Sequence, residues 1–252
     1  MSPRPTFERA QELRVAVDAA AVVVRGPFNP AIFSPAWFSD AELVGKAEVE
    51  DSEIEVISPD VTSFRLGWLR FTATRDTLQL ATEEIDELPR LRDAAIGVLK
   101  ILDHQPVSVL GINRDTHTLV GSSDSLNHLG DRISPKEIWL DFLDTPGVRS
   151  ITMWGARTDK WRGRINVRVE PSVLIPMAAF VSVNDHYELV EEDQEHTNRG
   201  DSYGSGDGPV EPASEKRQTA IEILIHEWDA SMARATIAHA HLMAFAEGAT
   251  DA

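Results

Sequence analysis

A chain of 252 residues with no cysteine cannot use thiol chemistry, zinc thiolates or disulfides, and it is long enough for one large domain or two small packed halves. Its 41 acidic and 24 basic residues give a formal charge of -17, which repels phosphate backbones and anionic lipid and argues against nucleic acid as a partner. No run of about 18 apolar residues spans a bilayer, and Met1-Ser2-Pro3-Arg4-Pro5 starts no basic-then-apolar leader, so a cytoplasmic protein off the membrane is expected.

In chain order, Ala21 to Val24 reads as a strand. Helix-start chemistry follows at Asn29-Pro30, Ser34-Pro35 and Ser39-x-x-Glu42, where side-chain oxygens can accept from first-turn amides. Phe28, Phe33, Trp37 and Phe38 are expected to anchor that segment in a core. Alternation from Arg65 to Glu83, with Arg75-Asp76 as the turn, predicts a hairpin. Leu91, Ala94, Ala95, Val98 and Leu102 recur at helical spacing and predict a helix over Leu88 to Asp103, followed by a strand from Val107.

A polar linker at Gly121 to Asp124 divides the chain into a first half, 1–120, and a second half, 121–252, forming one compact unit. In the second half the box Ser134-Pro135-Lys136-Glu137 predicts a helix that Thr145-Pro146-Gly147 stops. Ser150 to Ala156 and Gly163 to Val169 read as hairpin arms and Ala178 to Val190 as a third strand. Residues 191–217 carry eight acidic and three basic side chains with little to bury, the composition of a mobile loop, so the Arg199-Gly200-Asp201 triplet within it carries no message. From Glu215 to Glu247 a single long helix is expected, with Ile221, Leu224, Ile225, Trp228, Met232, Ala235, His239, Leu242 and Met243 on one face. The fold class that follows is α+β: two strand-helix halves with mostly antiparallel sheets, packed with a long amphipathic C-terminal helix.

Two polar clusters stand at strand ends. On an extended chain Asn113, Asp115 and His117 share one face; in the other cluster Asn184, His186 and Glu188 share one face, with Asp185 and Tyr187 opposite. Should the ends meet, Asp115, His117, Asp185 and His186 are the candidate acid-base groups, with Asn113, Arg114, Asn184 and Tyr187 as ligand-binding candidates. The alternative is that Asn and Asp gather where strands enter turns and bond local amides. Three histidines on the terminal helix do not converge, because His226 and His241 are separated by about 22 Å along the axis. No metal or cofactor is therefore expected. The cluster of Arg157, Lys160, Arg162, Arg164 and Arg168 with Trp154 and Trp161 reads as the wet face of a hairpin, with a basic stripe as the competing reading.

The run Leu102-Asp103-His104-Gln105-Pro106-Val107-Ser108-Val109-Leu110-Gly111-Ile112-Asn113, with Ser134-Pro135-Lys136-Glu137 and Val183-Asn184-Asp185-His186-Tyr187, resembles an uncharacterised, sporadically distributed bacterial family of about this length. The resemblance implies the same architecture and a bacterial cytosolic origin, and by analogy an accessory, defence-type component; it implies no activity. The leading expectation is a non-catalytic interaction protein that assembles with itself or with a protein partner. The alternative is a small-ligand-binding or hydrolytic enzyme with its pocket at the ends of strands 107–117 and 178–190.

Overall fold

The computed structural model describes residues 13–189 and 213–246. Among these, nine strands form one antiparallel sheet: β1 (Arg14–Arg25), β2 (Glu53–Ile57), β3 (Val61–Leu66), β4 (Leu69–Thr74), β5 (Thr77–Thr82), β6 (Val109–Leu119), β7 (Ile151–Ala156), β8 (Gly163–Pro171) and β9 (Ala178–Glu188). Their spatial order is β2-β3-β4-β5-β1-β6-β9-β8-β7. The helices are α1 (Pro35–Asp40), α2 (Lys46–Glu50), α3 (Leu88–Ile101), α4 (Ser123–Ile133), α5 (Ala213–His226) and α6 (Trp228–Ala246). The architecture is α+β, and no described helix is long and apolar enough to cross a membrane.

The order contains a repeat. A strand at the middle of the sheet (β1, then β6) is followed by a helical connection, a meander that returns to it, and a closing helix. The second round starts at β6, one strand before the polar linker. β1 and β6 pair with each other, so β5, β4 and β3 match β9, β8 and β7 in order, and β2 has no described counterpart beyond β7.

Strand alternation sends one set of side chains under the helices. Ala20, Val22 and Val24 on β1 share that covered face with Leu78 and Leu80, Leu69 and Phe71, Phe64 and Leu66, and Leu110 and Ile112. The expected aromatic anchors pack here: Phe33 and Phe38 lie 4.9 and 4.8 Å from the Phe71 ring, and Phe64 lies 5.1 Å from it. Pro35 opens α1 while the Ser34 hydroxyl accepts the Trp37 amide at 3.1 Å, as its sequence predicts. At Asn29 the same chemistry makes only a 3₁₀ turn. No helix starts from Ser39, because Glu42 takes a left-handed φ of 56° and breaks the run.

The second half departs further from expectation. Its helix, α4, lies over the supposed linker and is capped by Ser122, whose hydroxyl accepts the Ser125 amide at 3.0 Å. Ser134 caps the other end of α4, and the predicted 134–144 helix reduces to a 3₁₀ turn, Glu137–Trp139. The single C-terminal helix is two, bent at Glu227. α5 packs with α3 over the first core, whereas α6 packs on α4 and on β6 and β9, so the bend lets one stretch of chain serve both halves. Of the predicted stripe, Ile221, Leu224, Trp228, Met232, Ala235 and Met243 are buried as expected, whereas Ile225 is exposed and Ile223 is buried in its place. Within the expected 191–217 loop, 191–212 lies outside the described residues and 213–217 is already helical.

Candidate functional site

The opposite face of the sheet carries no described helix. Its middle row runs through all nine strands: Glu53, Arg65, Arg70, Ala81, Ala21, Asn113, Asn184, Asn166 and Trp154. Three asparagines in this row form a directed amide chain. Asn166 Nδ2 donates to Asn184 Oδ1 at 2.9 Å, Asn184 donates to Asn113, and Asn113 donates to the Ala21 carbonyl at 3.5 Å. Gly111 makes room for it, since a Cβ there would stand 3.2 Å from Asn184 Nδ2.

The two polar clusters do meet, but only at Asn113 and Asn184. β6 and β9 are antiparallel, so from that pair Asp115 and His117 run one way and His186 and Glu188 the other. His117 stands opposite Phe180, six residues from His186, or about 20 Å along the strand. They cannot share one small ligand.

His117 is buried, with its ring 4.7 Å from that of Phe180 and its Nδ1 2.8 Å from Ser172 Oγ. Ser172 Oγ already accepts the Leu174 and Ile175 amides at 3.1 and 3.0 Å, so its hydrogen is the one directed at His117. Asp115 Oδ1, two residues along the same face, is buried with no hydrogen-bond partner among the described residues.

The remaining candidates lie on the covered face as structural groups. Arg114 grips Asp18 with two bonds of 2.9 and 2.8 Å and donates to Thr236 Oγ1 at 2.7 Å, fastening β1 and β6 to α6. Asp185 is fully buried, 2.5 Å from the Arg234 guanidinium and 3.8 Å from that of Arg157. Tyr187 lies beneath Arg157, which is 3.9 Å from the ring centroid and donates to the phenol oxygen at 3.1 Å; burial pushes this phenol up. Arg157 also pairs with Asp159, whose carboxyl it holds below the ordinary carboxylate value. Trp161 Nε1 donates to Glu227 at the helix bend, at 2.8 Å. Arg157 is thus part of a buried ion cluster and Lys160 stacks on Trp161, while Arg164 and Arg168 face the open side by register.

Sequence reasoning missed Ser172, Asp159 and Arg234. Asp18 was legible: it falls in phase with Ala20, Val22 and Val24, a charge on a core face that requires a cation opposite.

His239, on α6, is half-buried and bonded to Thr118 Oγ1 at 2.7 Å. Burial lowers the pKa of His117, His186 and His239 below the ordinary 6.5. The unfolded chain regains the ordinary value, so as pH falls below 6.5 it takes up protons that the folded chain refuses. The contribution is therefore complete above that value and is lost as pH falls through the folded pKa values. We expect melting temperatures to decline as pH falls below about 6.5, less steeply in a His117→Gln, His239→Gln double variant. Parallel profiles for variant and parent would contradict this.

Among the described residues, no three His, Cys, Asp or Glu side chains lie placed to hold a metal ion. Neither a protein-family model nor a curated protein matches this chain.

Proposed function

We propose that this chain is a non-catalytic assembly protein, an accessory component of a multi-protein system, that docks through the free β7 side of its sheet. The observation that carries the reading is a set of exposed large apolar side chains on β7 and on the connection before it. Ile138, Leu140 and Phe142, on the connection from α4 to β7, are 69, 61 and 67% exposed, and Met153 and Trp154 on β7 are 66 and 70% exposed. By register Met153 lies on the covered face of β7 and Trp154 on the open face, so both sides of this edge present apolar surface to water. The contrast with the first half supports it: there the connection after β1 buries Phe33 and Phe38, while the matching connection after β6 leaves Phe142 out. A cleft of about 260 Å³ between this connection and the start of β7, lined by Trp139, Leu143, Val148 and Ile151, offers a seat for a partner side chain. A photoreactive residue at Phe142, in the full chain at natural abundance, is expected to yield discrete protein adducts that Leu140→Glu abolishes. No adduct from either Phe142 or Met153 would remove the reading.

A second reading, ligand binding on the open face, is favoured by the partnerless buried oxygen of Asp115 beside the His117 and Ser172 pair. It expects a small polar ligand whose thermal shift disappears in His117→Ala. A broad ligand screen giving identical shifts for parent and variant would exclude that pair as its site.

A further inference from the structure

We propose that the partner on β7 is a second copy of this chain, joined by antiparallel pairing of β7 with β7 about a twofold axis midway between Met153 and its own copy. The proposal rests on the assembly reading above and names its partner.

Among the described residues, the two ends of the sheet differ in how they treat the hydrogen-bonding edge that no other strand pairs. β2 bears Glu53 and Glu55 and a break in register between Ile54 and Val56, which are ordinary devices against edge-to-edge pairing. β7, Ile-Thr-Met-Trp-Gly-Ala, has no charge, no proline and no register break against β8. An uncharged strand can meet its own copy without like charges facing each other, a strong requirement in a chain of net charge -17. The repeat points to the same edge, since the slot beyond β7 is where the first half has β2.

Register selects the axis. In antiparallel pairing, opposed residues share a face, so a twofold axis must pass midway between a residue and its own copy. Centred on Met153, it sets Ile151 against Gly155 of the other copy and Thr152 against Trp154. Ile151 and Trp154 then each meet a smaller side chain while Met153 meets its own copy, and a Cβ at Gly155 would meet nothing within 4 Å in the isolated chain, leaving open space for Ile151. Met153 projects on the covered face, where Ile151, Ile165 and Val167 are only partly buried. The 138–143 connection lies at this rim. Its duplication across the axis would close the apolar layer that each chain leaves incomplete. The interface is isologous and closes on itself, so it makes dimers and stops there.

The absence of native cysteine makes the test direct. Opposed residues stand about 4.5–5.5 Å apart between Cα atoms, within the span of a disulfide. Met153→Cys in the full chain is expected to form a linked dimer under mild oxidation, at least tenfold more than Val56→Cys on the β2 edge. Light scattering of the parent should give twice 27.9 kDa, and Met153→Lys should restore the single mass with an unchanged circular dichroism spectrum. A parent monomeric at about 100 μM, or equal linking from both edges, overturns the proposal. The photoreactive Phe142 separates the two failures: adducts of the chain with itself support self-pairing. Adducts only with other proteins overturn it and leave the assembly reading intact, and no adducts sink both.

Discussion

Asp185→Ala is expected to lower folding stability by about 3–5 kcal/mol, the range for removing one member of a buried ion pair. The carboxylate is inaccessible to water and stands between two guanidinium groups, and the Arg157 side chain is 1% exposed. Alanine would leave the buried Arg157 with Asp159 as its one carboxylate partner among the described residues, and water could not replace the lost charge. Arg234, about one-third exposed, can turn outward, so most of the cost arises at Arg157. Asp185→Asn keeps an acceptor oxygen and should cost less. Urea denaturation measures both, and at about 2–4 °C per kcal/mol for a chain of this size the alanine variant should melt roughly 10 °C lower. A loss below about 1 kcal/mol would show that the cluster repacks without its anion.

Gly163→Ala should be comparably damaging for a different reason. Gly163 opens β8 at a φ of 128°, outside the regions an L side chain adopts, and a Cβ there would overlap the carbonyl of His186 in the paired strand. The clash is with backbone, so no rotamer change relieves it; the hairpin must shift or β8 must part from β9. Backbone strain alone costs about 1–3 kcal/mol, and with the displaced strand we expect roughly 3 kcal/mol or more. Gly147→Ala is the matched control, because a Cβ there meets nothing within 4 Å, and its effect should stay within about 0.5 kcal/mol. Equal stability of the two variants by urea denaturation would contradict the argument.

Local pattern revealed what local physics determines. The stripe of α3, the alternation of β4 and β5, the Ser34 cap and the split of each polar cluster between two faces are all fixed by neighbours within a few residues. What escaped notice is set by distant partners. Ser134 has the sequence of a helix start, yet α4 already ends there, and a good capping box cannot recruit a helix from a chain with no core to lie on. The antiparallel register that separates His117 from His186 joins residues tens of positions apart, as do the bonds from Arg114 to Asp18 and from Arg234 to Asp185. For the candidate site, sequence placed the asparagines and histidines on the correct face, but it could not tell that they form a row instead of a pocket.

The position of β1 has a consequence for synthesis. It precedes every other described strand yet lies mid-sheet, with β5 on one side and β6 on the other. On the ribosome its Ala- and Val-rich length must wait some sixty residues for β5, and its other edge waits until Val109 to Leu119 have emerged. During that interval the nascent chain carries an unpaired apolar strand, which is vulnerable to pairing with a neighbour on the same message. Slowing elongation once Val109 to Leu119 have left the ribosome should favour the native partner, because β6 is the strand that shields the last open edge of β1.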